Sequence, residues 1–212
     1  PYICERISKA TGIDKGFFFE LSEVGQIIEK ISDFQLASQE QIDKVAASSP
    51  LFASIIQKKN EEIALIIEAN KKKSGFTINE LGEVSNEDLF ASLIAQFKGK
   101  VILVDFWATW CGPCIMANKE MKPMKEELKD KDIVYLYIAG DNSPKEKWEN
   151  MIPDITGEHF RVSKEQWAYL TTTFGIRGVP TYFVVNREGE ITYKEVGFPG
   201  VGKIKGELEK SL

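Results

Sequence analysis

The 212-residue chain is poor in the residues that most often advertise chemistry: it has one histidine and three cysteines. Three cysteines are too few for a disulfide framework and cannot all pair within the chain. A closed zinc site wants four ligands, whereas this sequence offers one Cys-x-x-Cys, a distant Cys4 and His159, so no metal is expected. There is no basic excess. With 27 Lys and Arg against 32 Asp and Glu, the formal net charge is −5, and the basic footprint of a nucleic-acid binder is missing. The one basic cluster, Lys71 to Lys73, falls where a helix should end and reads as a solvated helix terminus. No apolar run reaches the roughly 18 residues of a membrane span. A basic-then-apolar leader and an initiator Met are also lacking, so the chain reads as a processed or truncated product whose address has been removed.

What is present is enough apolar material, 43% of residues, for one domain plus a smaller one. The first third reads as helices. Apolar residues at Leu21, Val24, Ile27, Ile28 and Ile31 follow the helical period. Ser38 with Gln41 forms a capping box ahead of Ile42, Val45 and Ala46, and Ser49 with Pro50 supplies an N-cap and a first-turn proline. The helix that follows should bury Leu51, Phe52, Ile55, Ile56, Ile63, Ile66 and Ile67 on one stripe. Such stripes need a partner surface, which predicts a helical region over 1–75, either complete or a fragment of a larger domain.

After Gly75 the pattern changes. Phe76 to Ile78 suits a short edge strand, and Ser85 with Asp88 opens a helix bearing Leu89, Phe90, Leu93, Ile94 and Phe97 that Gly99 stops. Val101 to Phe106 is a buried strand, its apolar run broken only by Asp105. Ile133 to Ile138 is another strand, and Ser143, Pro144 and Glu146 cap a helix with Trp148. A short strand is expected near His159 to Val162, and Ser163 with Gln166 caps a helix with Trp167 and Leu170. Thr181 to Val185 and Ile191 to Val196 form a hairpin about Glu188 and Gly189, and a last helix carries Ile204 and Leu208. This order predicts an α/β mixed sheet covered on both faces.

The chemistry concentrates in "VILVDFWATWCGPC", residues 101–114. In a Cys-x-x-Cys that opens a helix, the first sulfur faces unpaired N–H groups and the positive end of the helix dipole, which favour thiolate. Cys111 is therefore the candidate nucleophile, and Cys114, one turn inside, the resolving thiol that attacks the mixed disulfide. Cys114 must lose a proton although burial raises its affinity for one. Asp105, a carboxylate in an apolar strand, is the candidate base, set against the plainer reading of a strand-end aspartate that meets water. Trp110 can shield the thiols, while Gly112 and Pro113 restrict the loop and permit a partner chain to approach.

At these residues the sequence resembles the thioredoxin superfamily. "VDFWATWCGPC" is similar to its active-site signature, and "FGIRGVPTYFVVNREGEI" to a second signature whose cis proline packs against the cysteine pair. The resemblance covers 76–212 and implies a thioredoxin-like mixed sheet. It implies that Asp105 is the buried acid, Trp110 the shielding tryptophan, and Cys111 and Cys114 the attacking and resolving thiols. Pro180 would be the cis proline, Val179 the residue whose backbone pairs with a bound substrate, and Gly197 the glycine bordering the peptide groove.

An insertion over 141–174 resembles the TlpA/ResA-like branch of the bacterial cell envelope, and helical extensions like 1–75 precede such domains in Bacteroides-type bacteria. Two departures stand out. Lys119 replaces the helix-kinking proline five residues after the second cysteine, with Pro123 farther on. The buried lysine that some thioredoxins pair with the acid has no counterpart in "YLYIAGDNSP".

The function so implied is a thiol:disulfide oxidoreductase that reduces protein disulfides, with the Cys111/Cys114 disulfide as its redox centre and no cofactor. Its partners would be protein disulfides and an upstream thiol donor, with no nucleic acid, and its place the periplasm or cell envelope, through a lipid or membrane anchor upstream. The alternatives are a partner-binding module docking through its helical region, and a thiol peroxidase, for which "DFWATWC" lacks the threonine spacing and upstream proline. His159 reads as a surface or loop residue, Met116, Met121 and Met124 as core filler, and Cys4 as an inert thiol or an attachment point.

Overall fold

The computed structural model describes residues 2–12 and 16–212, with side chains from residue 5 onward. It forms two compact units, one ending at Lys73 and the other running from Ser74 to Leu212. The first unit is helical: α1 (Tyr2–Thr11), α2 (Phe17–Ser32), α3 (Gln39–Ser48) and α4 (Pro50–Asn70). Ser38 and Gln41 make the reciprocal capping box at the start of α3, and the Ser49 hydroxyl accepts from the Phe52 N–H ahead of Pro50 in α4. Val24, Ile27 and Ile31 of α2 close on Ile42 and Val45 of α3 and on Ala53, Ile56 and Ile63 of α4.

The α4 stripe is narrower than its sequence suggests. Leu51, at 68% exposure, Ile55 and Ile66 face outward, because this helix is apolar around most of its girth and α2 and α3 cover only one side. The Asn60 side chain fixes the turn before α3, accepting from the Ala37 N–H and donating to its carbonyl at 2.8 and 3.2 Å. Cys4 lies within α1, and its thiol falls outside the described residues.

The second unit is an α/β sandwich with the thioredoxin-like architecture. Its elements are β1 (Phe76–Asn79), α5 (Leu89–Ala95), β2 (Val101–Trp107), α6 (Gly112–Glu127), β3 (Ile133–Ala139), α7 (Lys145–Met151), a 3-10 turn (Ile152–Asp154), β4 (Gly157–Arg161), α8 (Lys164–Thr173), β5 (Thr181–Val185), β6 (Ile191–Val196) and α9 (Val201–Lys210). The strands make one sheet in the order β1-β4-β3-β2-β5-β6. The four strands β1 to β4 run parallel, while β5 is antiparallel to β2 and β6 to β5.

β2 is central and buried at every position, which is why it reads as a continuous apolar run. Its alternate residues serve the two faces. Ile102, Val104 and Phe106 pack with Leu89 and Leu93 of α5 and Leu170 of α8. Val101 and Leu103 pack with Ala117, Met121 and Met124 of α6 and Ile204 and Leu208 of α9. Asp105 belongs to the second set, on the α6 face.

Three readings of the sequence change here. Ser143 does not cap α7; it is buried, and its hydroxyl accepts from the Thr109 N–H at 3.2 Å, tying down the segment before Trp110. His159 is no surface residue: it is fully buried on β4, since its register places it on the covered face beside Tyr137. Met116 is 60% exposed, unlike Met121 and Met124, because it falls outside the buried stripe of α6.

Gly157 opens β4 at φ 141°, and a Cβ there would lie 2.4 Å from the Tyr135 carbonyl oxygen. Backbone cannot yield as a flexible side chain can, and the angle itself disfavours a side chain. Gly157→Ala should therefore lower the stability of this unit by about 1–3 kcal/mol, read as a denaturant midpoint. An unshifted midpoint would contradict the close approach of β3 and β4.

Candidate active site

The end of β2 and the mouth of α6 build the site. Cys111 is the N-cap of α6, and Pro113 lies in its first turn. The Cys114 N–H points at the Cys111 sulfur, 3.2 Å away. This is the geometry in which a helix N-terminus favours negative charge on the first sulfur. The two cysteines are joined in a disulfide. Across from it the Val179–Pro180 peptide is cis, and the Val179 carbonyl oxygen sits 3.5 Å from the Cys111 sulfur. The Gly197 N–H donates to the Pro180 carbonyl at 2.8 Å, with Gly197 at φ 85°. Sequence positions 111, 114, 179, 180 and 197 are thus gathered at one end of the sheet, and 105 lies on the strand that leads to the pair. Trp110, beside Cys111 in sequence, is 59% exposed; Gly112 and Pro113 are exposed next to it.

Asp105 is fully buried on β2, the strand that leads to the pair, and neither carboxylate oxygen has a hydrogen-bond partner in the protein. Its neighbours across the sheet are Tyr137 of β3 and Tyr182 of β5, and His159 of β4 lies beyond Tyr137. A row of polar side chains therefore crosses the α6 face. The His159 ring stacks on Tyr137 at 4.8 Å and donates its Nε2–H to the Ile155 carbonyl at 2.7 Å. Burial pushes its proton affinity down to about 4, so it is neutral at pH 7.

A cation completes the row. Lys125 of α6 is buried, its ammonium 4.7 and 4.6 Å from the centroids of the Tyr135 and Tyr137 rings. It donates to the Tyr137 hydroxyl and, at 2.7 Å, to the Thr156 carbonyl. Desolvation raises Asp105 to about 8, opposed by the charge on Lys125. Desolvation lowers Lys125 to about 7, opposed by Asp105. A buried lysine opposite the acid was not expected from the strand sequence "YLYIAGDNSP"; the chain supplies it from the helix instead. Periodicity held the signal. Cys114, Asn118, Met121, Lys125 and Leu128 recur at alternate steps of four and three, one stripe of α6, and all five are buried.

The Redoxin family model matches residues 83–210. The chain belongs to the Redoxin family. Curated relatives of this redoxin include the thiol-disulfide oxidoreductase ResA of Bacillus thuringiensis strain Al Hakam, 27% identical over 120 residues. That match covers 55% of this chain and 66%, just under two thirds, of ResA. ResA of B. thuringiensis subsp. konkukian strain 97-27 is 26% identical over 150 residues, 68% of this chain and 73% of that one.

Among solved structures, the redoxin is similar to a thioredoxin-family thiol:disulfide interchange protein from Chlorobium tepidum TLS. The identity is 24%, over 56% of this chain and 83% of the other, with a TM-score of 0.49. The thioredoxin domain of a thiol-disulfide oxidoreductase from Bacteroides vulgatus gives 24%, 55%, 82% and 0.49. The two ResA matches bear out the resemblance to the TlpA/ResA-like branch. Among the described residues no group of His, Cys, Asp and Glu is placed to hold a metal ion.

An acid whose proton affinity rises on folding binds more protons folded than unfolded between its two pKa values. For Asp105 that window runs from about pH 4 to about pH 8, and folding is penalised increasingly as pH rises through it. Asp105→Asn removes the penalty. The stability advantage of the variant over wild type should grow across pH 4–8 by up to about 1.4 kcal/mol per pH unit, measured by denaturant unfolding. Parallel pH curves for the two proteins would show that Asp105 is not held protonated.

Proposed function

We propose that the chain is a thiol:disulfide oxidoreductase that reduces protein disulfides by dithiol–disulfide exchange. The observation that carries this reading is the Cys111–Cys114 disulfide at the mouth of α6, with the Val179 carbonyl 3.5 Å from the outer sulfur. In the reduced protein, Cys111 attacks a client disulfide as thiolate, and one client sulfur leaves. Cys114 gives its proton to Asp105 and attacks the Cys111 sulfur; the Cys111–client bond breaks, and the second client thiol departs. Two electrons pass to the client, and an upstream thiol donor returns them. Val179 offers backbone to an extended client segment beside the cis Pro180, Gly197 borders the groove, and Trp110, Gly112 and Pro113 form an exposed shoulder against which it rests.

The periplasm or cell envelope is the compartment this reading assigns, in keeping with the branch the chain resembles. Among the described residues no helix is long and apolar enough to cross a membrane; the branch resemblance adds a lipid or membrane anchor upstream to this reading. Division of labour follows the two units: exchange resides in 76–212, with 141–174 as its insertion, and the helical region 1–75 serves a separate role.

The test is insulin reduction. Wild type should accelerate it in the presence of a small dithiol, Cys111→Ser should abolish the acceleration, and Cys114→Ser should accumulate a mixed disulfide through Cys111. Unchanged activity in either variant would defeat the assignment. The Cys-Gly-Pro-Cys pair also points to a reductant. Equilibration with glutathione should give a potential near about −270 mV, and one above about −180 mV would reverse the direction.

A further inference from the structure

Helix α4 carries a second apolar stripe besides the one that packs in its own unit. The inner stripe, Ala53, Ile56 and Ile63, is covered by α2 and α3. On the outer side Leu51, Ile55, Lys58, Glu62, Leu65 and Ala69 are all exposed, Leu65 at 72%, and Ile66 is exposed beside them. These six positions recur in alternate steps of four and three along the 21-residue helix. That is the spacing of a coiled-coil seam, which keeps its side chains on one line as two helices wind together. A helix that is apolar on both sides is ordinarily buried on both.

The order of residues along the seam points to what covers it. The stripe is symmetric about the level of Asn60: two apolar residues, a lysine, a glutamate and two apolar residues. If two copies of α4 lie antiparallel with their dyad at that level, Leu51 of each faces Ala69 of the other, Ile55 faces Leu65, and Lys58 faces Glu62. A parallel pair would set Lys58 against Lys58 and Glu62 against Glu62, and like charges so placed repel. Within the chain Lys58 makes no ion pair with the described residues. Glu62 has an exposed one to Lys59 at 3.4 Å, which contributes little.

We propose that two copies of this chain associate through α4, packed antiparallel, with Leu51, Ile55, Leu65 and Ile66 as the apolar layers and two Lys58–Glu62 pairs setting the register. This goes beyond the exchange reading and does not depend on it; it gives the helical region the role of a dimerisation device. The area suffices. Four large exposed aliphatic side chains with the flanking stems come to about 600 Å² from each copy, ~1,200 Å² in all, the lower end of a stable specific interface. A charged layer within an apolar seam lowers stability and fixes one register and one orientation.

Sedimentation equilibrium of the full chain is the experiment. Wild type should form a dimer at micromolar concentration. Leu65→Glu changes a side chain that is exposed in the single chain, so it should keep wild-type helical content by circular dichroism and sediment as a monomer. Lys58→Glu and Glu62→Lys each turn two attractive layers into repulsive ones and should weaken the dimer about tenfold. An equimolar mixture of these two variants should recover wild-type affinity, since each copy then supplies the charge the other lacks, and the double variant Lys58→Glu/Glu62→Lys should recover it by itself.

A wild-type chain that stays monomeric at these concentrations would overturn the proposal; flotation of that monomer with phosphatidylglycerol vesicles would assign the stripe to a membrane surface instead. A dimer that Leu65→Glu leaves intact would place the interface elsewhere and overturn it as well. So would single charge variants no weaker than wild type, which is the result a parallel pair predicts, or a mixture and a double variant that both stay weak. Insulin reduction reads the exchange proposal separately, and its failure would leave this one standing.

Discussion

Holding one carboxyl group in the middle of a dry sheet is the constraint around which the second unit is arranged. Asp105 interrupts a strand whose other six residues are apolar and buried, and a charge there would cost several kcal/mol in lost hydration. The fold answers by surrounding it with groups that are polar but uncharged near neutrality: Tyr137, Tyr182 and His159 in register across the strands. The one cation of the row, Lys125, bonds a tyrosine hydroxyl and a backbone carbonyl rather than the carboxylate. Desolvation exceeds the mutual attraction for both members, so acid and base are each moved toward their neutral forms.

One helix connects this interior to the cysteine pair. The N-terminus of α6 presents its unpaired N–H groups to Cys111, and its buried stripe delivers Cys114, Asn118 and Lys125 in turn. Pro123 lies inside the same helix. It removes one backbone hydrogen bond, but it falls on the exposed side, so the stripe passes it uninterrupted to Leu128. Moving the proline four residues from the position seen in many thioredoxins leaves Lys119 on the outside and the buried stripe intact.

Most of the fold was legible because its signals are local. Ser38 with Gln41 and Ser163 with Gln166 name their helix starts, the apolar run of β2 names a central strand, and Glu188 with Gly189 names the hairpin. Misreadings arose where tertiary partners decide. Ile55 and Ile66 carry the same side chain as Ile56 and Ile63, and only the coverage by α2 and α3 separates them. His159 had no chemistry-bearing neighbour in sequence; its companions Tyr137 and Lys125 come from other elements. Lys125 sits in "NKEMKPMKEELKDK", where a lysine reads as solvent-facing, although its spacing from Cys114 and Met121 marks the buried side.

Stability and chemistry draw on the same interaction here, in opposite directions. Burial makes Asp105 a stronger base than an exposed aspartate, by bringing its proton affinity from the usual carboxylate range to about 8, close to that of an ordinary thiol. In the proposed exchange that match lets a proton move from Cys114 with little driving force lost either way. The identical shift is an energetic burden on the folded state at neutral pH. A residue that packed better in this place would stabilise the sheet and remove the acceptor together. A more solvated aspartate would relieve the burden and be too weak a base. The apolar run of β2 and its single acid are therefore one feature: the strand must be dry for the acid to be useful, and the acid limits how stable that dry strand can become.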